Sequence, residues 1–163
     1  MSSRFGRREF LKKSVGVAAL TAGASTVGVP AILAEQSPNS KLSTAVIGAN
    51  GRGMAHVPVA ASEHLVALVD IDDGRMASTL DWLDKNCPAG VRSKVKTYYD
   101  YRKMFDEMHK QVDALFIAIP DHSHACATMM AIKLGKHVYC EKPLTHDIYE
   151  ARALGQAARE HKV

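Results

Sequence analysis

The chain has 163 residues, with 21 lysines and arginines against 17 aspartates and glutamates, a formal net charge of +4. The excess lies entirely in residues 1–34, where five basic residues accompany a single glutamate, so residues 35–163 are neutral overall. A neutral body argues against a nucleic-acid partner, because proteins that bind the phosphate backbone carry a basic surface.

The N-terminal segment is typical of an export signal. Arg7 and Arg8 begin the sequence Arg-Arg-Glu-Phe-Leu-Lys, a twin-arginine motif, and residues 15–29 form an apolar stretch rich in Ala, Gly and Thr. This stretch is shorter than the roughly 20 residues of a membrane-spanning helix, which favours export over the alternative of an N-terminal anchor. We expect residues 1–34 to be a signal peptide for the twin-arginine export machinery and residues 35–40 to be a polar linker. The protein is then periplasmic or otherwise exported.

A glycine-rich turn follows the first predicted strand. Residues 45–47 are apolar and predict a buried strand, and Gly-Ala-Asn-Gly-Arg-Gly follows, starting at Gly48. Such a turn lets the backbone approach a pyrophosphate, and the helix expected to open near Arg52 would point its free amides at the negative charge. A second strand over residues 65–69 delivers Asp70, 22 positions after Gly48 and close to the roughly 20 expected for the acid that binds the adenosine ribose. Strand, turn, helix, strand and acid in this order predict a dinucleotide site.

The rest of the chain alternates helical and strand patterns. Helical spacing of apolar residues covers 73–85, 101–109, 124–134 and 147–161. Strands are predicted at 95–98, 112–119 and 137–140, and that at 112–119 is the clearest buried strand. Strands that alternate with helices form a parallel sheet covered on both faces. The predicted fold is therefore α/β, a Rossmann-type doubly wound parallel sheet over residues 41–163.

The cysteines indicate neither a disulfide framework nor a zinc site. Cys87, Cys126 and Cys140 are odd in number, widely spaced and without a CxxC pair, so we expect buried thiols. His122, His124 and Cys126 form an H-x-H-x-C run, but residues two apart on a helix do not face one another, and no fourth ligand lies nearby in sequence. We therefore expect no metal site.

Further motifs carry a resemblance to a known family. Pro-Asp-His-Ser-His begins at Pro120, Gly-Lys-His-Val begins at Gly135, and Glu-Lys-Pro occupies residues 141–143. In this order the motifs resemble the N-terminal domain of the glucose-fructose oxidoreductase, inositol dehydrogenase and MocA (Gfo/Idh/MocA) family, from about residue 41 to the end of the chain. The resemblance implies hydride transfer between a sugar-like or cyclitol hydroxyl and a nicotinamide. It also implies a C-terminal α+β domain that binds substrate and builds the oligomer interface.

The resemblance and the turn together give a set of candidate site residues. The candidate cofactor-binding residues are Gly48, Asn50, Gly51, Arg52, Gly53, Asp70, Pro120, His124, Glu141 and Lys142. Pro120 and His124 are implied to edge the cofactor cleft after the fourth strand. Lys142 is also the candidate catalytic residue, since it is implied to approach the nicotinamide and the substrate hydroxyl, where a cation stabilises a developing alkoxide. For Glu141 a second role stays open, that of pairing with a neighbour and orienting the turn.

Two details bear on how a cofactor would bind. Asn50 stands where the G-x-G-x-x-G fingerprint has its second glycine; Asn tolerates positive φ better than most residues, so we expect altered loop geometry with binding retained. Asp70 favours NAD, because a carboxylate would repel the 2′-phosphate of NADP. Arg52 and Arg75 are close enough in sequence to keep NADP open.

The chain ends near the expected start of a sixth strand. We therefore expect an incomplete Rossmann domain that lacks the C-terminal α+β domain and has no activity by itself. Three functions stay open: the cofactor-binding domain of an exported NAD(P)-dependent oxidoreductase, an NAD-dependent glycosidase of the same superfamily, and a non-catalytic dinucleotide-binding fragment. The expected partners are a dinucleotide and, in the full-length protein, a carbohydrate-like small molecule. A homo-oligomer is expected only where a C-terminal domain is present.

Overall fold

The computed structural model describes residues 41–163, so the predicted signal peptide and linker lie outside the described residues. The strands are β1 (Ser43–Ile47), β2 (His64–Val69), β3 (Lys96–Tyr98), β4 (Ala114–Ile117) and β5 (His137–Cys140). The α-helices are α1 (Val57–Ser62), α2 (Asp73–Asn86), α3 (Val91–Lys94), α4 (Tyr101–Met108), α5 (Asp121–Lys133) and α6 (Ile148–His161). Two 3-10 helices cover Gly51–Ala55 and His109–Gln111. None of the helices in this part of the chain is long and apolar enough to cross a bilayer.

The five strands form one parallel sheet in the order β3-β2-β1-β4-β5. The chain therefore runs outward from β1 to one edge and then crosses back to build the other side. The last residues of the strands are in register, since Ile47 pairs with both Val69 and Ile117, and Ile117 pairs with Cys140. The residues that follow β1, β2, β4 and β5 consequently meet along a single edge of the sheet.

Side chains of β1 alternate between two buried clusters on opposite faces of the sheet. Ala45 and Ile47 pack in a cluster with Phe105 of α4 and small residues of α5. Val46 packs in the other cluster with residues of α1 and α2, including Val57. Helices thus cover both faces, which confirms the predicted doubly wound α/β architecture.

Aspartates begin three of the long helices. The carboxylates of Asp72, Asp100 and Asp147 accept hydrogen bonds from backbone N–H groups in the first turns of α2, α4 and α6 at 2.8–2.9 Å. These N-caps satisfy donors that a helix start leaves free, so the boundaries of α4 and α6 fall close to the predicted ones.

Three local expectations were wrong. Helix α5 begins at Asp121, three residues before the predicted start, because its polar first turn carries no apolar periodicity. Helix α3 was not predicted; it is a single short turn entered through Gly90 in a left-handed conformation. The predicted burial of the thiols fails for Cys126, which is exposed on α5, whereas Cys87 and Cys140 are half-buried.

Candidate functional site

The glycine-rich turn after β1 has no room for side chains at two positions. Gly48 adopts φ +82°, and a Cβ there would lie 2.3 Å from the carbonyl oxygen of Ala118. A Cβ on Gly53 would lie 1.6 Å from the carbonyl oxygen of Gly48. The Gly48 N–H donates to the carbonyl of Val69 at 2.8 Å, which holds the turn against β2. The turn therefore presents bare backbone at the sheet edge, as a pyrophosphate site requires.

Asn50 shapes this turn without adopting positive φ. Its backbone is extended at φ −126°, and positive φ falls on Gly51 instead. The Asn50 Oδ1 accepts from the Gly51 N–H at 2.6 Å, while Nδ2 donates to the Arg75 carbonyl at 3.1 Å and to the Thr79 hydroxyl at 3.2 Å. The amide thus caps a 3-10 helix, Gly51–Ala55, where an α-helix opening near Arg52 was expected. The sequence led us to expect an altered loop geometry, and the structure shows that the alteration is this capped 3-10 turn.

One cavity of about 310 Å³ lies on the β2 side of the turn, and we call it the first cavity. Its walls include Gly48, Asn50, Asp70, Arg75, Tyr99, Pro120 and His122. The half-buried Asp70 accepts from the Asp72 N–H through Oδ1 at 3.1 Å, which fixes the carboxylate at the end of β2. The Tyr99 hydroxyl donates to Asp73, and this hydrogen bond raises the pKa of the tyrosine. The first cavity therefore combines a fixed carboxylate, an arginine and an aromatic ring beside the turn.

A second cavity of about 310 Å³ lies on the β5 side of the turn, and we call it the second cavity. Its walls are formed by Arg52, Ala118, Ile119, Asp121, His124, Glu141 and Lys142. Lys142 is exposed there, and no ion pair or side-chain hydrogen bond engages its amine within residues 41–163. A free ammonium at the carboxyl end of a strand can meet an anionic or polarised oxygen of a ligand.

Glu141 is the buried acidic group of the second cavity. Its Oε1 accepts from Arg52 Nε at 2.8 Å and lies 2.7 Å from His56 Nε2. Burial by itself raises the pKa of Glu141, but the hydrogen bonds from His56 and Arg52 outweigh it, so the pKa is lowered from its usual 4.5. The His56 ring stacks on Phe116 with 5.3 Å between centroids. His56 was not among the candidate site residues; its only sequence signal was the four-residue spacing from Arg52.

His124 is fixed behind the Glu-Lys-Pro segment. Its side chain is 1% exposed, and Nδ1 donates to the Pro143 carbonyl at 2.6 Å. Because a carbonyl only accepts, Nδ1 carries a proton. Within residues 41–163 Nε2 has no hydrogen-bond partner.

The structure brings the candidate residues to one edge, on both sides of the turn. The H-x-H-x-C run, in contrast, is dispersed: His122 lines the first cavity, His124 lines the second, and Cys126 lines a groove between α4, α5 and α6. Among residues 41–163 no three His, Cys, Asp or Glu side chains are grouped to hold a metal ion. That groove is larger, about 770 Å³, but it lies away from the strand ends and its walls are mainly apolar.

Comparison with known proteins identifies the family. A family model described as "Oxidoreductase family, NAD-binding Rossmann fold" matches residues 42–163. The uncharacterised oxidoreductase YrbE of Bacillus subtilis is 31% identical over 123 residues, which cover 74% of this chain and 33% of that protein. A crystal structure of an NAD-binding oxidoreductase from Klebsiella pneumoniae is 32% identical with a TM-score of 0.60, covering 76% of this chain and 33% of that one.

A polyol dehydrogenase is among the similar structures. The myo-inositol 2-dehydrogenase of Lactobacillus plantarum is 30% identical with a TM-score of 0.58, and the match covers 74% of this chain and 34% of that one. The chain thus spans about a third of the length of these relatives. With the sheet order, the bare glycine turn and the family match in agreement, the chain belongs to the Gfo/Idh/MocA oxidoreductase family and contains its NAD-binding Rossmann domain.

Proposed function

We propose that residues 41–163 hold the nicotinamide cofactor of an oxidoreductase that oxidises a hydroxyl of a sugar- or cyclitol-like substrate. The observation that carries this proposal is the common edge of the sheet, where the glycine turn, Asp70 and Lys142 follow β1, β2 and β5. The likeness to a myo-inositol 2-dehydrogenase supports a polyhydroxylated substrate.

The residues fit a dinucleotide that lies across the turn. Asp70 in the first cavity would accept hydrogen bonds from the adenosine ribose hydroxyls, and the bare backbone at Gly48 and Gly53 would lie under the pyrophosphate. The second cavity, with Lys142 in its wall, would hold the nicotinamide end. We propose NAD as the preferred cofactor, because the carboxylate of Asp70 opposes a 2′-phosphate, although Arg75 in the same cavity is a cation that NADP could use.

The chain's own residues divide the chemistry between them. A nicotinamide supplies, when bound, an acceptor for the hydride. The Lys142 ammonium would face the substrate hydroxyl and stabilise negative charge on its oxygen, while a base of the expected C-terminal domain takes the hydroxyl proton. Glu141 is a poor proton acceptor, because its pKa is lowered by the two donors that its carboxylate already holds. We therefore assign Glu141 no role in proton transfer.

The test is binding followed by turnover. Residues 41–163 should bind NADH in a calorimetric titration, and a full-length protein that also carries the expected substrate-binding domain should reduce NAD with a polyol such as myo-inositol. Lys142→Met should abolish turnover while leaving the thermal unfolding curve unchanged, because no group within residues 41–163 holds the amine. Lys103→Met, on the exposed surface of α4, is the matched control and should keep full activity.

Other outcomes would select another function. NAD-dependent release of the aryl group from an aryl glycoside, with no net reduction of NAD, would favour the glycosidase. NADH binding without any turnover in the whole protein would favour a non-catalytic module. A folded protein that binds neither NADH nor NADPH would refute the proposal.

We also propose that residues 1–34 direct export through the twin-arginine pathway. The support is the Arg7–Arg8 motif and the mild apolar stretch that follows it. That pathway carries folded proteins, which suits a protein that must bind its cofactor before export.

A further inference from the structure

Glu141 joins two segments that are far apart in the sequence. Its backbone N–H donates to the Ile117 carbonyl at 2.9 Å, which anchors the residue at the end of β5 against β4. Its side chain crosses the sheet edge to Arg52 and His56, which lie 85 or more residues earlier in the chain. The carboxylate is therefore a bridge between the glycine-rich turn and the segment that carries Lys142.

The His56 end of this bridge is held firmly. The His56 side chain is 12% exposed and packs against the rings of Phe116 on β4 and Tyr139 on β5, with centroid distances of 5.3 and 5.1 Å. His56 also ends the 3-10 turn, since its N–H donates to the Gly53 carbonyl at 2.8 Å. The ring thus fixes the carboxylate relative to both the sheet and the turn.

The Arg52 end is more open. The Arg52 side chain is 67% exposed, lies in the wall of the second cavity, and is paired with Glu141 through Nε. An arginine anchored through Nε keeps its other donors for an anionic group of a ligand. Any movement of Arg52 toward a bound phosphate would therefore change its contact with the Glu141 carboxylate.

Lys142 is placed by fixed groups on both sides. Glu141 precedes it, and Pro143, which follows it, is bonded through its carbonyl to the buried ring of His124 at 2.6 Å. The Lys142 side chain itself is exposed and makes no side-chain bond within residues 41–163. The position of its ammonium consequently depends on the backbone, which is held by the Ile117 carbonyl, by His124 and by the side-chain contacts of Glu141.

We propose that Glu141 is a positioning residue that couples occupancy of the pyrophosphate turn to the placement of the Lys142 ammonium. This inference rests on the proposed function. Glu141 would act through Arg52, His56 and the backbone, and would not itself contact the cofactor or the substrate. Removing the carboxylate should separate the two halves of the site while each half keeps its own contacts.

The first experiment compares ligands that contain different parts of the dinucleotide. Glu141→Gln in the full chain should weaken NADH and ADP-ribose by about tenfold, the equivalent of losing one hydrogen bond to a charged group. AMP, which reaches the first cavity without spanning the turn, should bind as in the wild type. Asp84→Asn is the matched control, because Asp84 is also a carboxylate paired with an arginine (Arg92, 3.1 Å) but on the exposed surface of α2. It should bind all three ligands normally.

The second experiment measures the chemical reactivity of the Lys142 amine. Acetylation of lysines by acetic anhydride, followed by mass spectrometry, should show that saturating NADH slows the reaction of Lys142 but not of Lys103 in the wild type. In Glu141→Gln at saturating NADH, this protection of Lys142 should be lost. Glu141→Asp keeps the charge on a shorter side chain and should recover part of the protection; it also serves where Glu141→Gln does not fold.

The outcomes distinguish this inference from the proposed function. Equal loss of NADH, ADP-ribose and AMP in Glu141→Gln would mean a merely structural role and would overturn the coupling. Unchanged NADH affinity with full protection of Lys142 would overturn it as well. A folded wild-type chain that binds no NADH would instead refute the proposed function, and the coupling with it.

Discussion

The Cβ position of Gly53 lies 1.6 Å from the carbonyl oxygen of Gly48, so the two glycines pack backbone to backbone. Gly53 has no positive φ, and a substitution there tests steric exclusion alone. We expect Gly53→Ala to lower the free energy of unfolding by about 1–3 kcal/mol, because residue 53 must shift away from the Gly48 carbonyl. Urea denaturation followed by circular dichroism measures the change.

Gly155→Ala is the control for the glycine substitution. Gly155 lies within α6, and a Cβ there would make an ordinary contact with Arg159 at 3.6 Å. Alanine should stabilise the helix by about 0.5–1 kcal/mol, so the two substitutions should have opposite signs. A Gly53→Ala protein as stable as the wild type would show that the turn is looser than the structure describes.

Asp70 should determine the choice between the two cofactors. Asp70→Ala should weaken NAD by roughly 1–3 kcal/mol, the range for leaving hydrogen-bonding groups without a partner, and should weaken NADP less or strengthen it. Calorimetric titration with both cofactors provides the measurement. Asp70→Asn is the matched variant, since its amide oxygen can still accept from the Asp72 N–H and so preserves the local turn. Equal losses for NAD and NADP would remove Asp70 from the ribose site.

The Glu141 carboxylate should make stability depend on pH in the acid range. Its pKa is lowered in the folded state from its usual 4.5, so its contribution is fully present above that value and is lost as the pH falls through the folded-state pKa. Glu141→Gln removes the titrating group. The difference in unfolding free energy between wild type and Glu141→Gln should be constant near neutral pH and shrink below about pH 4.5. A difference that is independent of pH down to 2 would contradict the assigned ion pair.

The twin-arginine assignment has its own test. Replacing both Arg7 and Arg8 with Lys should retain the precursor in the cytoplasm, while binding of NADH to the purified protein stays unchanged. Arg4→Lys changes an arginine of the same segment outside the motif and should be exported normally. Undiminished export of the double variant, measured by fractionation and immunoblotting, would rule out this pathway.

The sequence was sufficient to predict the strands of the sheet and the side chains that follow them at its edge. Buried strands read as continuous apolar runs, and the residue after the run of β2 is Asp70. Glu141 was found from the Glu-Lys-Pro motif of the family resemblance. The aspartate caps of α4 and α6 were equally local signals. Each of these features depends on residues within a few positions of one another.

Features that depend on distant residues were not accessible in this way. The bonds from Arg52 and His56 to Glu141 span more than 80 positions, and no periodicity in the chain encodes them. The 3-10 turn was missed because it depends on the amide of Asn50 capping Gly51 while also reaching Thr79 of α2. The sequence could show that Asn50 departs from the fingerprint, but only the packed structure shows what it does instead.

The strand order also sets the earliest moment at which the protein can take up its cofactor. The first strand to leave the ribosome, β1, is the central strand of the sheet. One of its two partner strands, β4, is synthesised much later: Asp113, the residue before β4, accepts a hydrogen bond from the Ser43 N–H across 70 positions. Lys142 emerges later still, roughly 5–20 s after Gly48 at typical synthesis rates. The first cavity has its full walls only after Ser123 has emerged, and the second only after Lys142, so the dinucleotide cannot act as a template for the first strands.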